Sequence, residues 1–258
     1  MLGSVNFDRA ADFYDATRAF PDSVAERVGP FLAEATQLSG DESVLEVGIG
    51  TGRIALPLAP FVSSIYGADI SLKMLQRLVE KRGDEEVFPA IGDAHTLPYA
   101  ENSFDVVLVT HVFHLVEDPV AVLAEIGRVL KPDGFLLHTF GSYANSKEML
   151  PIVNAWRDNS VPTPRPVKWS NIDDFFPENG WQVVRSDELK YEYHTSPAEF
   201  LERVEKRQWS STWHVSDAEL ARGVDAIKAA IDKHFDGEGD APTLTTSTYT
   251  AQVIQPKA

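Results

Sequence analysis

Residues 44–52 read Val-Leu-Glu-Val-Gly-Ile-Gly-Thr-Gly: an apolar run carrying one acid, Glu46, and ending in glycines at alternate positions. Glycine has no Cβ, so a loop built on Gly48, Gly50 and Gly52 can turn sharply and let a ligand press against its backbone. A dinucleotide fingerprint, G-x-G-x-x-G, would need its last glycine at position 53, which is Arg53. Asp69 closes a second short apolar run. A carboxylate there can accept two charge-assisted hydrogen bonds from a ribose diol, and it also suits the N-terminus of a following helix. Asp93, in Gly92-Asp93-Ala94, is a third acid after a third run. His111 follows a fourth run, Phe104–Thr110, and His114 comes one turn later. An imidazole at that point is a candidate general base. His111 is the first choice, and His114 suits holding the loop as well as taking a proton.

These residues need a frame that brings the run ends together. Apolar segments at 43–47, 64–68, 86–91, 104–110 and 134–140 read as strands, with Pro89 weakening the third. The fourth is apolar enough to be buried on both faces. Helices are expected between them. Ser71 caps one running to Arg82 with Gly83 after it, and Asp118-Pro119 opens another running to Leu130. Near-helical spacing of Phe7, Ala10, Ala11, Phe13, Tyr14 and Ala16 predicts an N-terminal helix over 7–20, and a second starts at Asp22 as N-cap. Alternating strands and helices predict an α/β fold with a mostly parallel sheet covered on both faces. Ligands of such sheets bind beyond the carboxyl ends of the strands, where the glycines, Asp69, Asp93 and His111 fall.

Four stretches, in order, resemble the class I S-adenosylmethionine (SAM) dependent methyltransferases, and within them the ubiquinone/menaquinone-biosynthesis-like small-molecule group (methyltransferase type 11). They are the E-x-G-x-G-x-G of 46–52, Asp69, the Gly-Asp-Ala-His-Thr-Leu-Pro-Tyr of 92–99 with Phe104-Asp105, and the Leu-Ala-Glu-Ile-Gly-Arg-Val-Leu-Lys-Pro-Asp-Gly of 123–134. Asp133 stands where the family usually has glycine. The resemblance covers about residues 40–140. It implies a Rossmann-like sheet with N-terminal helices and a C-terminal helical or mixed substrate cap. It implies that Glu46 helps position the methionine part of SAM, that Gly48, Gly50 and Gly52 allow its close approach, and that Asp69, followed by Ile70, holds the ribose. Asp93 beside Ala94 would receive the adenine amino group, and Thr110 and His111 would border the methionine part. Tyr14, in Phe13-Tyr14-Asp15, resembles an element that closes over SAM in relatives.

The implied reaction is in-line transfer of a methyl group to a small-molecule acceptor, with O, N, C and S acceptors all open. Alignment of the reactants can supply ~7–11 kcal/mol of the barrier reduction. The alternatives are a SAM-fold protein that binds an adenosyl ligand without catalysis, and a nicotinamide oxidoreductase, which the glycine spacing opposes.

Composition narrows the partners. The 258 residues carry a net charge of −16, which disfavours nucleic acid and anionic membranes. No cysteine is present, which removes thiolate metal sites and cysteine nucleophiles. His, Asp and Glu fall in no metal-ligand spacing, so no metal is expected. No apolar run approaches the ~18 residues of a membrane helix, and residues 1–10 do not read as a secretory signal, so a cytoplasmic protein is expected. Nothing in the sequence speaks to oligomeric state. Residues 1–145 are expected to hold the N-terminal helices and the cofactor core, and 146–258 a substrate cap with the last strands of the sheet. The cap holds all five tryptophans: Trp156, Trp169, Trp181, Trp209 and Trp213. Pro-rich 161–166 reads as extended loop. The stretch 208–214, with Trp209 and Trp213 among hydroxyl residues, is expected to face the substrate.

Overall fold

The computed structural model describes residues 4–142, 147–160 and 172–257. The Pro-rich stretch 161–166 and Trp169 lie outside them. Four parallel pairings build one part of a sheet: β1 (Ser43–Val47) with β2 (Ser64–Asp69) and β4 (Phe104–Thr110), β2 with β3 (Val87–Ile91), and β4 with β5 (Leu130–Ser142). With β6 (Trp181–Thr195) and β7 (Thr243–Pro256), the order across the seven strands is β3-β2-β1-β4-β5-β7-β6. The chain leaves β1 toward β2 and β3 on one side and resumes at β4 on the other. The carboxyl end of β1 is therefore the topological switch point, where such sheets open a crevice. Pro89 is accommodated because β3 is an edge strand, where a missing N–H breaks no ladder on the open side.

The strands form where their burial demands it. Val44, Leu45 and Val47 on β1, and Val106, Val107, Leu108 and Val109 on β4, are all buried, as central parallel strands require. Helix α4 (Leu72–Lys81) starts where the Ser71 hydroxyl accepts from Met74 N at 3.2 Å, and it buries Met74, Leu75 and Leu78 on one stripe. Helix α5 (Pro119–Val129) has proline in its first turn, and the Asp118 carboxylate accepts from Val120 N and Ala121 N, both at 3.0 Å.

Three expectations shift. The N-terminal helix is confined to α1 (Tyr14–Arg18), and residues 8–13 are wound as turns, with Ala10 N on Phe7 O and Phe13 N on Ala10 O. The reason lies in side chains: Asp8 is tied to Ser71 and Asp12 to Arg77, which bends the segment along α4. Helix α2 (Asp22–Thr36) has Pro21 at the N-cap, with Asp22 already inside the first turn. Strand β5 begins before the Lys-Pro-Asp-Gly turn. Phe104 pairs with Leu130 and Val106 with Phe135, so residues 131–134 bulge out between two paired positions.

Two compact units divide the chain. The first holds described residues 4–140, 172–189 and 250–257, and it contains β1 to β4 and most of β5. Its core joins Leu45, Val107, Phe113, Ile126, Phe176 and Trp181. The second holds 141–142, 147–160 and 190–249, built on α6 (Leu150–Asn159), α8 (Pro197–Glu205) and α9 (Asp217–His234). There Ile152, Trp156, Val204 and Ile227 pack together.

Candidate active site

The three loop glycines all take the left-handed backbone that favours glycine, with φ of 73° at Gly48, 54° at Gly50 and 75° at Gly52. Space is equally exacting: a Cβ on Gly48 would meet Val112 Cγ2 at 2.6 Å, and one on Gly52 would meet Leu78 Cδ1 at 2.3 Å. The loop is tied to the second strand end through Asp69. Gly50 N donates to Asp69 Oδ2 at 2.9 Å and Ser71 N to Oδ1 at 2.8 Å. Two backbone donors therefore set the carboxylate's plane, and each oxygen keeps a further lone pair for a diol. Burial raises the Asp69 carboxyl above its ordinary range, opposed by these two N–H groups. Gly92 N donates to Asp69 O at 3.1 Å, which brings the end of β3 to the same point.

Gly67 is a site residue that sequence reasoning missed. A Cβ there would lie 2.2 Å from Ile49 Cδ1 and 2.7 Å from both Ile49 Cβ and Cγ2. Ile49 belongs to the glycine loop, so the loop sits down on β2 only because β2 has no side chain at 67. The available signal was an isolated glycine inside a strand, which often marks a close approach.

Glu46 is 2% exposed. Ala55 N donates to its carboxyl, and its Oε2 is buried with no hydrogen-bond partner among the described residues. Burial pushes its pKa up to about 8, against the pull of nearby Arg53 and with a further push from Asp69. An acid kept dry with one oxygen unmatched is a seat for a cationic group, which would supply the missing donor and hold the carboxylate ionised.

Asp93 is half-exposed at the end of β3, and Ala94 packs partly against the core. The Asp93 Oδ1 accepts from His95 N at 2.9 Å and pairs with His95 Nδ1 at 2.6 Å. The His95 backbone N–H is the leading cause that holds the Asp93 carboxyl below the usual range. Thr110 and Thr139 hydroxyls pair at 2.7 Å where the pairing of β4 with β5 ends. His111 follows with φ of 57°, a left-handed backbone on a non-glycine residue, of the kind that gathers at functional sites. Its ring stands edge-on to His114, with centroids 6.1 Å apart. Desolvation, then Arg53, His114, His138 and Arg18, hold His111 well below its ordinary pKa although one edge of the residue stays accessible. Its imidazole is thus neutral at neutral pH. The His111 ring signals in NMR are expected not to titrate between pH 8 and pH 6.5, the ordinary midpoint.

The N-terminal segment lies along the same loops. Asp15 Oδ1 accepts from Thr51 Oγ1 at 2.6 Å and its Oδ2 pairs with Lys81 at 2.8 Å, while Asn6 Nδ2 donates to Ile70 O at 3.5 Å. Tyr14 is half-buried there, its ring edge-on to Phe7 at 5.9 Å. The structure therefore brings Tyr14, Glu46, the glycines, Asp69, Ile70, Asp93, Thr110, His111 and His114 into one unit. Trp209 and Trp213 belong to the other. The Trp209 ring packs on Phe200 at 4.9 Å, and Trp213 Nε1 donates to Arg207 O at 2.8 Å. Trp181 lies in the first unit's core and Trp156 in the second's, so neither is a pocket wall by default.

A family model described as "Methyltransferase domain" matches residues 45–138, the span from the glycine loop to β5. The uncharacterized methyltransferase YcgJ of Bacillus subtilis is 29% identical over 141 residues, covering 53% of this chain and 54% of that protein. The chain thus spans about half the length of this curated relative in the match. The crystal structure of YcgJ superposes with a TM-score of 0.57 at 22% identity, over 90% of this chain and 98% of that one, and so shares the fold. An N-methyltransferase of Haemonchus contortus, solved with phosphomonomethylethanolamine and S-adenosylhomocysteine, has a TM-score of 0.50 at 19% identity, over 90% of this chain and 53% of that one. A demethylmenaquinone methyltransferase of Lactobacillus johnsonii is 33% identical over 208 residues, covering 76% of this chain and 78% of that protein. With that coverage, the seven-strand order and the glycine loop on β1, the chain belongs to the class I methyltransferase family, in its ubiquinone/menaquinone-biosynthesis-like group.

Proposed function

We propose that the protein is a SAM-dependent methyltransferase acting on a small-molecule acceptor by in-line displacement. The observation that carries this reading is the buried, half-matched Glu46 carboxyl beside Asp69 under a three-glycine loop. Such a pocket favours a ligand that is cationic at one end and a nucleoside at the other. A nicotinamide dinucleotide would bring phosphates to the same acids, which is unfavourable. SAM supplies a methyl group already activated by its sulfonium. In this reading Glu46 takes the methionine part, Asp69 with Ile70 the ribose, and Asp93 with Ala94 the adenine. Gly48, Gly50 and Gly52 give the backbone approach, Thr110 and His111 border the methionine end, and Tyr14 covers it.

The protein's own contribution is alignment, exclusion of water and, for an acceptor that carries a proton, its removal. His111 suits that task because it is held in the neutral form, the form that can take up a proton. His114, its ring edge-on to His111, is the second candidate for the same task. The acceptor is a small molecule, as demethylmenaquinone is in the name of the Lactobacillus relative.

Titration calorimetry with S-adenosylhomocysteine tests it. Micromolar binding is expected, with NAD inert, and Asp69→Ala is expected to weaken binding roughly 10–100-fold, the worth of hydrogen bonds to a charged group. A folded protein that binds neither SAM nor S-adenosylhomocysteine, or binds equally well without Asp69, would remove the assignment.

A further inference from the structure

His95 reads as a loop residue in the sequence, but its two ring nitrogens have different and complementary partners. Asp118 N, at the N-cap of α5, donates to His95 Nε2 at 3.2 Å. A backbone N–H can only donate, so Nε2 carries the lone pair and the proton of the neutral ring sits on Nδ1. That proton points at Asp93 Oδ1, 2.6 Å away. The same oxygen also accepts from His95 N at 2.9 Å. One carboxylate oxygen of Asp93 is thus clamped by two donors from a single residue, and the side chain as a whole remains 53% exposed. The clamped oxygen fixes the carboxylate plane, so Oδ2 presents a fixed acceptor direction at the end of β3. The anchor at Asp118 N keeps the imidazole from swinging away, because α5 is rooted in the core through Val122, Leu123 and Ile126.

We propose that His95 is a positioning residue that aims Asp93 at the 6-amino group of the adenine and so sets the preference for adenine over a 6-oxo purine. This rests on the reading that Asp93 receives the adenine amino group. A carboxylate in a set direction accepts from an amino group and repels a 6-oxo group, so the signature is discrimination rather than affinity alone.

The test compares binding of S-adenosylhomocysteine and S-inosylhomocysteine by calorimetry to four proteins: the native chain, His95→Asn, His95→Gln and Asp93→Ala. Asparagine places an N–H near the position of Nδ1 and keeps the Asp93 clamp, but is too short for Asp118. Glutamine reaches Asp118 with its carbonyl and loses the Nδ1 donor. The expected result is that His95→Asn keeps the adenosyl preference while His95→Gln loses roughly tenfold of it, the worth of one hydrogen bond to a charged group. Melting curves confirm that both variants fold. If both variants keep the preference, or both lose it equally, while Asp93→Ala abolishes it, His95 is not the positioning residue although Asp93 reads the adenine. If Asp93→Ala leaves the preference intact, the reading of Asp93 falls and the role of His95 with it.

Discussion

Glu46→Gln is expected to make the ligand-free protein more heat-stable at pH 8.5 and, in the same molecule, to weaken its hold on S-adenosylhomocysteine. The Glu46 carboxyl sits at about 8 in the fold because burial disfavours its charge, against an ordinary value near ~4.3 in the unfolded chain. Between those two values the folded state binds the proton more tightly than the unfolded state, so stability falls as pH rises through the window and levels off above about 8. A tenfold difference in proton affinity between the folded and unfolded chain is worth about 1.4 kcal/mol, so the loss by pH 8 is on the order of a few kcal/mol. Glutamine matches the shape and never ionises. Its melting temperature is expected to approach that of the native chain near pH 4 and to exceed it by roughly 10 °C at pH 8.5, at roughly 2–4 °C per kcal/mol for a chain of this size. The ligand reverses the balance. A methionine ammonium supplies the donor that Oε2 lacks and favours the ionised acid, so Glu46→Gln is expected to lose roughly 10–100-fold in affinity at pH 7. Binding to the native chain should release a proton, seen as a buffer-dependent calorimetric heat that vanishes in the variant. Equal melting curves at pH 4 and pH 8.5 for both proteins would show that Glu46 is not the strained group.

Gly67→Ala is expected to damage stability and ligand binding together, and Ile49→Ala to repair part of that damage. The added methyl lies within 2.7 Å of Ile49 Cβ, an atom that cannot rotate away because the backbone fixes it. Relief must come from lifting the glycine loop off β2. Overpacking of this kind costs about 3 kcal/mol, a melting drop of roughly 6–12 °C. The lifted loop also moves Gly50 N from the Asp69 carboxylate it now reaches at 2.9 Å, so affinity for S-adenosylhomocysteine should fall at least tenfold. Ile49→Ala alone leaves a cavity costing about 2–4 kcal/mol. In the double variant the clashes with Ile49 Cδ1 and Cγ2 are gone while the one with Cβ stays, so the two losses should fall short of adding by about 1 kcal/mol in urea unfolding. Simple additivity would mean that the loop does not rest on position 67.

Strands β1 and β4 are legible in the sequence to the residue, because continuous apolar runs bounded by polar residues leave little choice of ends. The glycine loop and its tie to Asp69 are legible for a related reason: both sit at strand ends, and the glycine spacing is itself a constraint. The N-terminal helix is shorter than its pattern suggests because Asp8 and Asp12 on that segment find partners more than sixty positions away. Gly67 looks like a weak point in a strand, since the side chain that needs its space belongs to another loop. The state of Glu46 is not legible either. Whether an acid is matched or left short depends on every neighbour at once, and its chain neighbours supply few of them. The order β5-β7-β6 is equally non-local: no pattern within a strand says which partner it takes.

That order has a bearing on biogenesis. Strand β7 comes later in the chain than both strands it separates, so a nascent protein made through β6 still has β5 and β6 with open edges on the sides that β7 will take. The parallel β3-β2-β1-β4-β5 part can form first from consecutive segments, while β6 waits for residues 243–256 to arrive. During that interval the molecule offers unpaired backbone to other chains, and the insertion of β7 between β5 and β6 is the step that closes both edges.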